Sequence, residues 1–301
     1  MTAPRRLLDP LATRQGTFAI VAMDQRNTLR KMFAAVGRPN VTPEEITSLK
    51  AAKISALRGS ASAFLVDPTY GVPALQRVSK TGPRFGVLVA AEPAERLAHK
   101  GEPVPGLDPA QNAAWVRSQG GDALKFLVQL RADRTAGAGE RDIRGEALEV
   151  VRKLVADCRA EGIPSVVENL LYTLPGEAPA SPEQRAERII QAAVALADCK
   201  PDLLKLEYPG DAESCRRLSK SIQVPWALLS AGVAFDKFAG ALRVACDDGG
   251  CCGFIAGRSI WQETVGMKAS EWDGFLASTG RKRLDDLMAV IEGRARPYWG
   301  G

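Results

Sequence analysis

Histidine is almost missing from this chain: His99 stands alone among 301 residues. That excludes zinc sites built on two or three histidines, so the chemistry is expected to run without a metal of that kind, and no cofactor is expected. His99 itself, in the polar stretch ERLAHKGEP, reads as a surface loop residue. The six cysteines (158, 199, 215, 246, 251 and 252) contain no CxxC spacing. They read as reduced, buried thiols of a cytoplasmic protein, with Cys158, Cys199 and Cys215 in segments of helical spacing. No run of about 18 apolar residues occurs, and MTAPRRLLDP has no apolar signal region, so membrane spanning and secretion are not expected. An excess of one charge is also lacking, with a formal net charge of +5. Clusters such as Arg5-Arg6 and Arg281-Lys282-Arg283 read as solvated faces, not as a nucleic-acid surface. No Pro/Gly/Ser-rich linker divides the sequence, so residues 1–301 read as one domain.

What the chain does have is eight short apolar runs. They are Phe18–Asp24, Ala63–Asp67, Gly86–Glu92, Ala123–Leu130, Ser165–Leu171, Leu203–Tyr208, Trp226–Ala231 and Gly253–Arg258. Runs this continuous mark strands buried on both faces of a parallel sheet. Helical segments fill the gaps. Thr42-Pro43-Glu44-Glu45 predicts an N-cap with a capping box, and Ser181-Pro182-Glu183-Gln184 repeats it. Aliphatic spacing predicts further helices over Asp142–Glu161 and Phe235–Asp247. Strand then helix, eight times over, predicts a single α/β domain of the (β/α)₈ TIM-barrel type. A doubly wound sheet would want a Gly-rich turn after the first strand, and the turn here is MDQRNT. The Pro/Gly-rich stretch Gly101–Gln111 reads as a rim loop after the third strand.

A barrel carries its active site at the C-terminal ends of its strands. Those ends read Asp24, Asp67, Glu92, Lys125, Glu168, Lys205, Ser230 and Arg258. Two are lysines inside apolar runs, in DALKFL and LLKLEYP. Burying an ammonium is costly unless it is paired or gives up its proton, and a neutral buried amine is a nucleophile. Strands four, five and six are neighbours, so Lys125, Glu168 and Lys205 should converge. Lys125 would then act as a like charge favouring the neutral form of Lys205, with Glu168 between them for proton transfer. Glu207 should face away from Lys205 or sit on the rim. After strands seven and eight, Ser230, Gly232, Gly257 and Arg258 fit the phosphate site common in such barrels. The glycines would admit backbone N–H groups and Arg258 would add a forked cation.

These segments together resemble the class I aldolases, most closely the family of tagatose-1,6-bisphosphate and sulfofructosephosphate aldolases. The residues that carry the likeness are AMDQR (22–26), VDPTYG (66–71), DALKFL (122–127), the glutamate of VVENL, LLKLEYP (203–209), PWALLSAGV (225–233) and GFIAGRSIW (253–261). VDPTYG and LDDLMAVIEGRARPYW look like the tagatose branch. GGDALKFLVQLRAD and RVACDDGGCCGFIAGRSIW look like the sulfofructose branch. The resemblance implies that Lys205 forms a Schiff base with a ketose phosphate and that Glu168 is the general acid/base. Asp24 and Lys125 would contact the sugar hydroxyls, and Ser230, Gly232, Gly257 and Arg258 would hold the phosphate of the dihydroxyacetone phosphate half. Asp67 joins the substrate-binding set, and Gln25 and Arg26 are the expectation for the distal anionic end. The aldehyde product would be glyceraldehyde 3-phosphate or sulfolactaldehyde. Two other readings stay open from the residues: an isomerase or epimerase using Glu168 without a covalent step, and a non-catalytic sugar-phosphate sensor. The expected partner is a small sugar phosphate, and barrels of this kind often form homo-oligomers.

Overall fold

Strands that are apolar on both faces need cover on both, and here one face is covered by helices and the other by strands across a closed sheet. In a computed structural model, which describes residues 6–299, eight parallel strands form a barrel. They are β1 (Phe18–Met23), β2 (Ala63–Val66), β3 (Gly86–Ala90), β4 (Ala123–Val128), β5 (Ser165–Asn169), β6 (Leu203–Leu206), β7 (Trp226–Leu229) and β8 (Gly253–Ala256). Each pairs with the next in sequence, and β8 returns to β1 through Phe18↔Gly253 and Val21↔Ala256. Every strand stops one or two residues before the end of its apolar run. Asp24, Asp67 and Glu92 come just after their strands, whereas Lys125, Glu168 and Lys205 lie within β4, β5 and β6. Of the Arg5-Arg6 pair, Arg5 lies outside the described residues.

The barrel interior is filled by a separate cluster that includes Phe18, Ile20, Ala22, Leu65, Leu88, Ala90, Val166, Leu203 and Ile255. Leu8 and Leu11, at a short turn of 3₁₀ helix over Asp9–Leu11, pack against it. Gly86 is forced there, since a Cβ would meet the Pro10 carbonyl oxygen at 2.1 Å.

The helix caps follow the sequence with one exception. Ser181 closes a full capping box with Gln184. Asp142 caps Ile143–Glu161 by accepting from the Gly145 N–H. Thr42 accepts from the Glu45 N–H at 3.2 Å, but the Glu45 carboxylate turns to Arg38, so the box does not close. Two further differences concern small elements. Cys199 lies in the turn past helix Pro182–Ala197, although all six thiols are buried and free. The stretch read as a rim loop, Gly101–Gln111, supplies the second strand of a hairpin, Leu97–His99 with Glu102–Val104, and His99 is the last residue of the first strand. Lys100 and Gly101 both take positive φ (48° and 83°), the mirror-image turn that suits a two-residue hairpin. No helix among the described residues is long and apolar enough to cross a membrane.

Candidate active site

Alternation along each strand decides which side chains enter the barrel. On β1, Phe18, Ile20 and Ala22 point inward, so Asp24 follows in phase. The same count leads from Leu65 to Asp67, from Ala90 to Glu92, from Ala123 to Lys125, from Val166 to Glu168 and from Leu203 to Lys205. Glu168 and Lys205 are register partners across β5 and β6. The layer above the apolar plug is thus made of charge.

Lys125 Nζ sits among three carboxylates, Asp24 at 2.8 Å, Glu92 at 2.7 Å and Glu168 at 2.8 Å. Glu168 Oε2 also meets Lys205 Nζ at 2.9 Å. Lys125 and Lys205 are 1% and 4% exposed, so these contacts act with little solvent screening. Burial pushes the Asp24 carboxyl up, but the Lys125 and Lys205 charges outweigh it and hold Asp24 well below the usual carboxylate range. Glu168 shows the same contest with the same outcome, a lowered value. For Lys125 burial favours the neutral amine, yet Asp24, Glu168 and Glu92 hold it firmly charged. The expected role of Lys125 as a bare like charge beside Lys205 is therefore corrected. Its charge is matched by carboxylates, and Glu168 bridges the two nitrogens.

A cavity of about 1050 Å³, counted out to the solvent, opens above this layer. Asp24, Gln25, Arg26, Lys125, Glu168, Lys205 and Arg258 all line it, as does Glu92. Gln25 Nε2 donates to Asp24 Oδ1 at 3.1 Å, and its buried Oε1 has no hydrogen-bond partner among the described residues. Arg26 Nη2 is spent on the carbonyls of Glu92 (2.8 Å) and Pro93 (3.2 Å).

Asp67 is not brought to the cavity. It is fully buried and ion-paired with Lys50, and it accepts from the N–H groups of Thr69, Tyr70 and Gly71. It closes the turn after β2 and has no free face for a substrate. Glu207 follows Lys205 in phase but lies on the rim, where it pairs with Arg185 and accepts from the Leu171 N–H.

Ser230, Gly232, Gly257 and Arg258 come together at the ends of β7 and β8, with Arg258 the one of the four that lines the cavity. Ser230 Oγ accepts from the Gly257 N–H at 3.5 Å, and Arg258 Nη2 donates to the Ala231 carbonyl at 3.0 Å. Gly232 has φ of 81°, and a Cβ there would lie 2.7 Å from the Arg258 guanidinium carbon. At Gly257 a Cβ would strike the Ala22 carbonyl oxygen at 2.3 Å. Close approach to backbone requires Gly257, and the positive φ requires Gly232.

Two groups at the cavity were given no role from sequence, although Glu92 stood among the strand ends. Glu92 is the third carboxylate on Lys125 and also accepts from the Leu127 N–H at 3.1 Å. The period-two count from Ala90 would have found it. Arg96, before the hairpin, lines the cavity and donates to Gln129 Oε1 at 3.0 Å. No local pattern marks it.

Comparison with known proteins agrees with this geometry. Residues 18–263 match the DeoC/LacD family aldolase profile. The chain is 28% identical to tagatose 1,6-diphosphate aldolase 2 of Streptococcus pyogenes serotype M1, over 98% of this chain and 96% of that protein. It is 26% identical to tagatose 1,6-diphosphate aldolase of Lactococcus lactis subsp. lactis, over 98% and 97%. Among solved structures, a Schiff-base-forming fructose-1,6-bisphosphate aldolase aligns with a TM-score of 0.63 at 17% identity, over 95% of this chain and 98% of that one. Fructose-bisphosphate aldolase from Plasmodium falciparum aligns with a TM-score of 0.71 at 11% identity, over 96% and 94%. These last two speak for the barrel fold.

Proposed function

The chain belongs to the DeoC/LacD family of aldolases and is a carbon–carbon lyase of class I, and from that premise we propose that it cleaves a ketose phosphate through a Schiff base on Lys205. The observation that carries the proposal is the Lys205 amine itself. It is buried at the floor of the cavity and 2.9 Å from a carboxylate that a second lysine also holds.

The steps follow from that contact. Glu168 takes a proton from Lys205, and the neutral amine attacks the C2 carbonyl. Glu168 returns protons as the carbinolamine loses water, leaving an iminium that withdraws electrons. A base removes the C4 hydroxyl proton and the C3–C4 bond breaks. Its electron pair moves into an enamine, and an aldehyde departs. The enamine is protonated at C3 and hydrolysed to free dihydroxyacetone phosphate. Asp24 and the Lys125 ammonium hydrogen-bond the hydroxyls beside the scissile bond. The turn of Ser230, Gly232, Gly257 and Arg258 holds the phosphate next to C1. Gln25 and Arg26 face the far end of the sugar, where Arg96 supplies a further cation. Substrates with an anion at both ends fit this arrangement, which favours tagatose 1,6-bisphosphate or sulfofructose 1-phosphate over a ketose bearing one anion. The aldehyde is then glyceraldehyde 3-phosphate or sulfolactaldehyde.

Borohydride added with dihydroxyacetone phosphate should fix a covalent adduct on Lys205, seen by mass spectrometry of the peptide. Lys205→Met should lose both the adduct and turnover, while a chelator should leave turnover unchanged. An active enzyme that yields no adduct would overturn the Schiff-base reading.

A further inference from the structure

Helix Pro43–Leu57 sends a lysine under the end of β1 that the chemistry above does not use. Lys50 is wholly buried. Its Nζ donates to the carbonyl of Met23 at 2.7 Å and to that of Gln25 at 3.0 Å, and it is ion-paired with Asp67. Met23 and Gln25 are the neighbours of Asp24 on either side. One ammonium therefore grips the backbone immediately before and after a residue of the charged layer. The preceding carbonyl, Ala22, is held as well, by Trp261 Nε1 at 3.0 Å. The Asp67 end of the grip is itself fixed by three backbone N–H groups of the turn after β2.

We propose that Lys50 is a positioning residue for Asp24, fixing its carboxylate against Lys125 and the substrate hydroxyls. This rests on the Schiff-base reading above. The physical need is clear at this point in the chain. β1 ends at Met23, and beyond it Asp24 and Gln25 belong to no strand and no helix. Their backbone therefore lacks the ladder bonds that hold the strand. Ladder bonds are absent where a tolerance of about 0.5 Å is needed, and Lys50 supplies two bonds in their place. It also accounts for Asp67. That carboxylate is the counter-ion that keeps a buried ammonium charged, and a charged donor makes the stronger hydrogen bonds to carbonyl oxygens.

The test compares two variants with the wild-type chain, each shown folded by circular dichroism and assayed well below its melting temperature. Asp67→Asn keeps the Lys50 amine between its two carbonyls. Lys50→Met/Asp67→Asn removes amine and counter-ion together, so no unpaired buried charge remains. The double variant should fall at least tenfold below Asp67→Asn in kcat, while KM for the ketose phosphate changes less than threefold, because the phosphate turn is untouched. Should the double variant fail to fold, Lys50→Arg takes its place. It keeps the charge opposite Asp67 but cannot set one nitrogen between the two carbonyls, and it should show the same loss in kcat. A kcat within threefold of Asp67→Asn, or a loss in KM alone, overturns the positioning role. Borohydride trapping of wild-type enzyme is read separately. Absence of the adduct there counts against the Schiff base, whereas a normal adduct with unchanged kcat in the double variant counts against Lys50 alone.

Discussion

Replacing Lys53 by methionine should stabilise the protein. Lys53 lies one turn after Lys50 on the same helix and is wholly buried. Its Nζ has no hydrogen-bond partner among the described residues and sits 3.2 Å from the centre of the Trp261 ring. Burial, with the nearby Lys50 charge adding to it, pushes the amine well below the usual lysine range. A buried polar group without a partner costs about 1–3 kcal/mol. The contact with the indole returns about 0.5–2 kcal/mol only to the protonated amine, whereas a methionine sulfur on the same ring would gain about 0.3–1.5 kcal/mol at any pH. The net gain from Lys53→Met is then about 1–2 kcal/mol, or roughly 2–3 °C in Tm for a chain of 301 residues. The sign of the pH dependence follows from linkage. In the unfolded chain the amine keeps its ordinary value of 10.5, above its folded value. Between the two values the unfolded state binds the extra proton, so the wild-type chain loses stability as pH falls, by at most about 1.4 kcal/mol per unit. The variant lacks this group, so its advantage should be largest in neutral or acid solution and should shrink as pH approaches the free lysine value. Urea denaturation of both proteins near pH 6 and again near pH 9 measures it. A variant less stable than wild type, or an advantage equal at both pH values, would refute the reasoning.

Lys125→Met should reverse the acid response of folding. In the wild-type chain Asp24 and Glu168 are lowered from ordinary values of 3.8 and 4.5, so their contribution is full above those values and fades as pH falls through the folded ones. Without the ammonium, three carboxylates crowd together and their protonation becomes favourable, at a neutral-pH cost of about 3–5 kcal/mol for breaking a buried pair. The variant should gain stability as pH falls from neutral towards about 5, where the wild type changes little; urea midpoints stepped through pH report the crossing. Arg96→Met should raise KM for a ketose with anions at both ends by about tenfold, the worth of one exposed charge-assisted contact of about 1.5 kcal/mol. KM for a ketose carrying one phosphate next to C1 should stay unchanged. A coupled triose phosphate assay on both substrates separates these outcomes, and an equal rise for both would exclude Arg96 from the far end.

The barrel was legible because each strand is apolar on both faces, and the charged layer because alternation along a strand is a fixed count. What the count does not supply is the partner. Asp24 and Asp67 each end an apolar run and each follow the inward phase, yet one lines the cavity and the other is consumed by Lys50. The difference lies in a lysine 17 residues away on the buried stripe of a helix. Arg26 is similar. It lines the cavity, as its position after β1 suggested, but the carbonyls that hold its Nη2 belong to residues 66 and 67 positions later, which no local count supplies. The hairpin at Leu97–Val104 was hidden because three-residue strands carry too few residues to show a period. Adjacent strands bring Lys125 close to Lys205, which suggested a like charge, whereas three carboxylates reach Lys125 from β1, β3 and β5.

Glu168 Oε2 touches both lysine nitrogens, and through Lys125 it communicates with Asp24 and Glu92. Asp24, Lys125 and Glu168 then draw on one shared pool of protons. The limbs of a pH–rate curve for this enzyme belong to the pool and not to any single member. Replacing one of the three should displace both limbs at once, so assigning acid and base from the shape of one curve would credit a single side chain with the behaviour of the whole set.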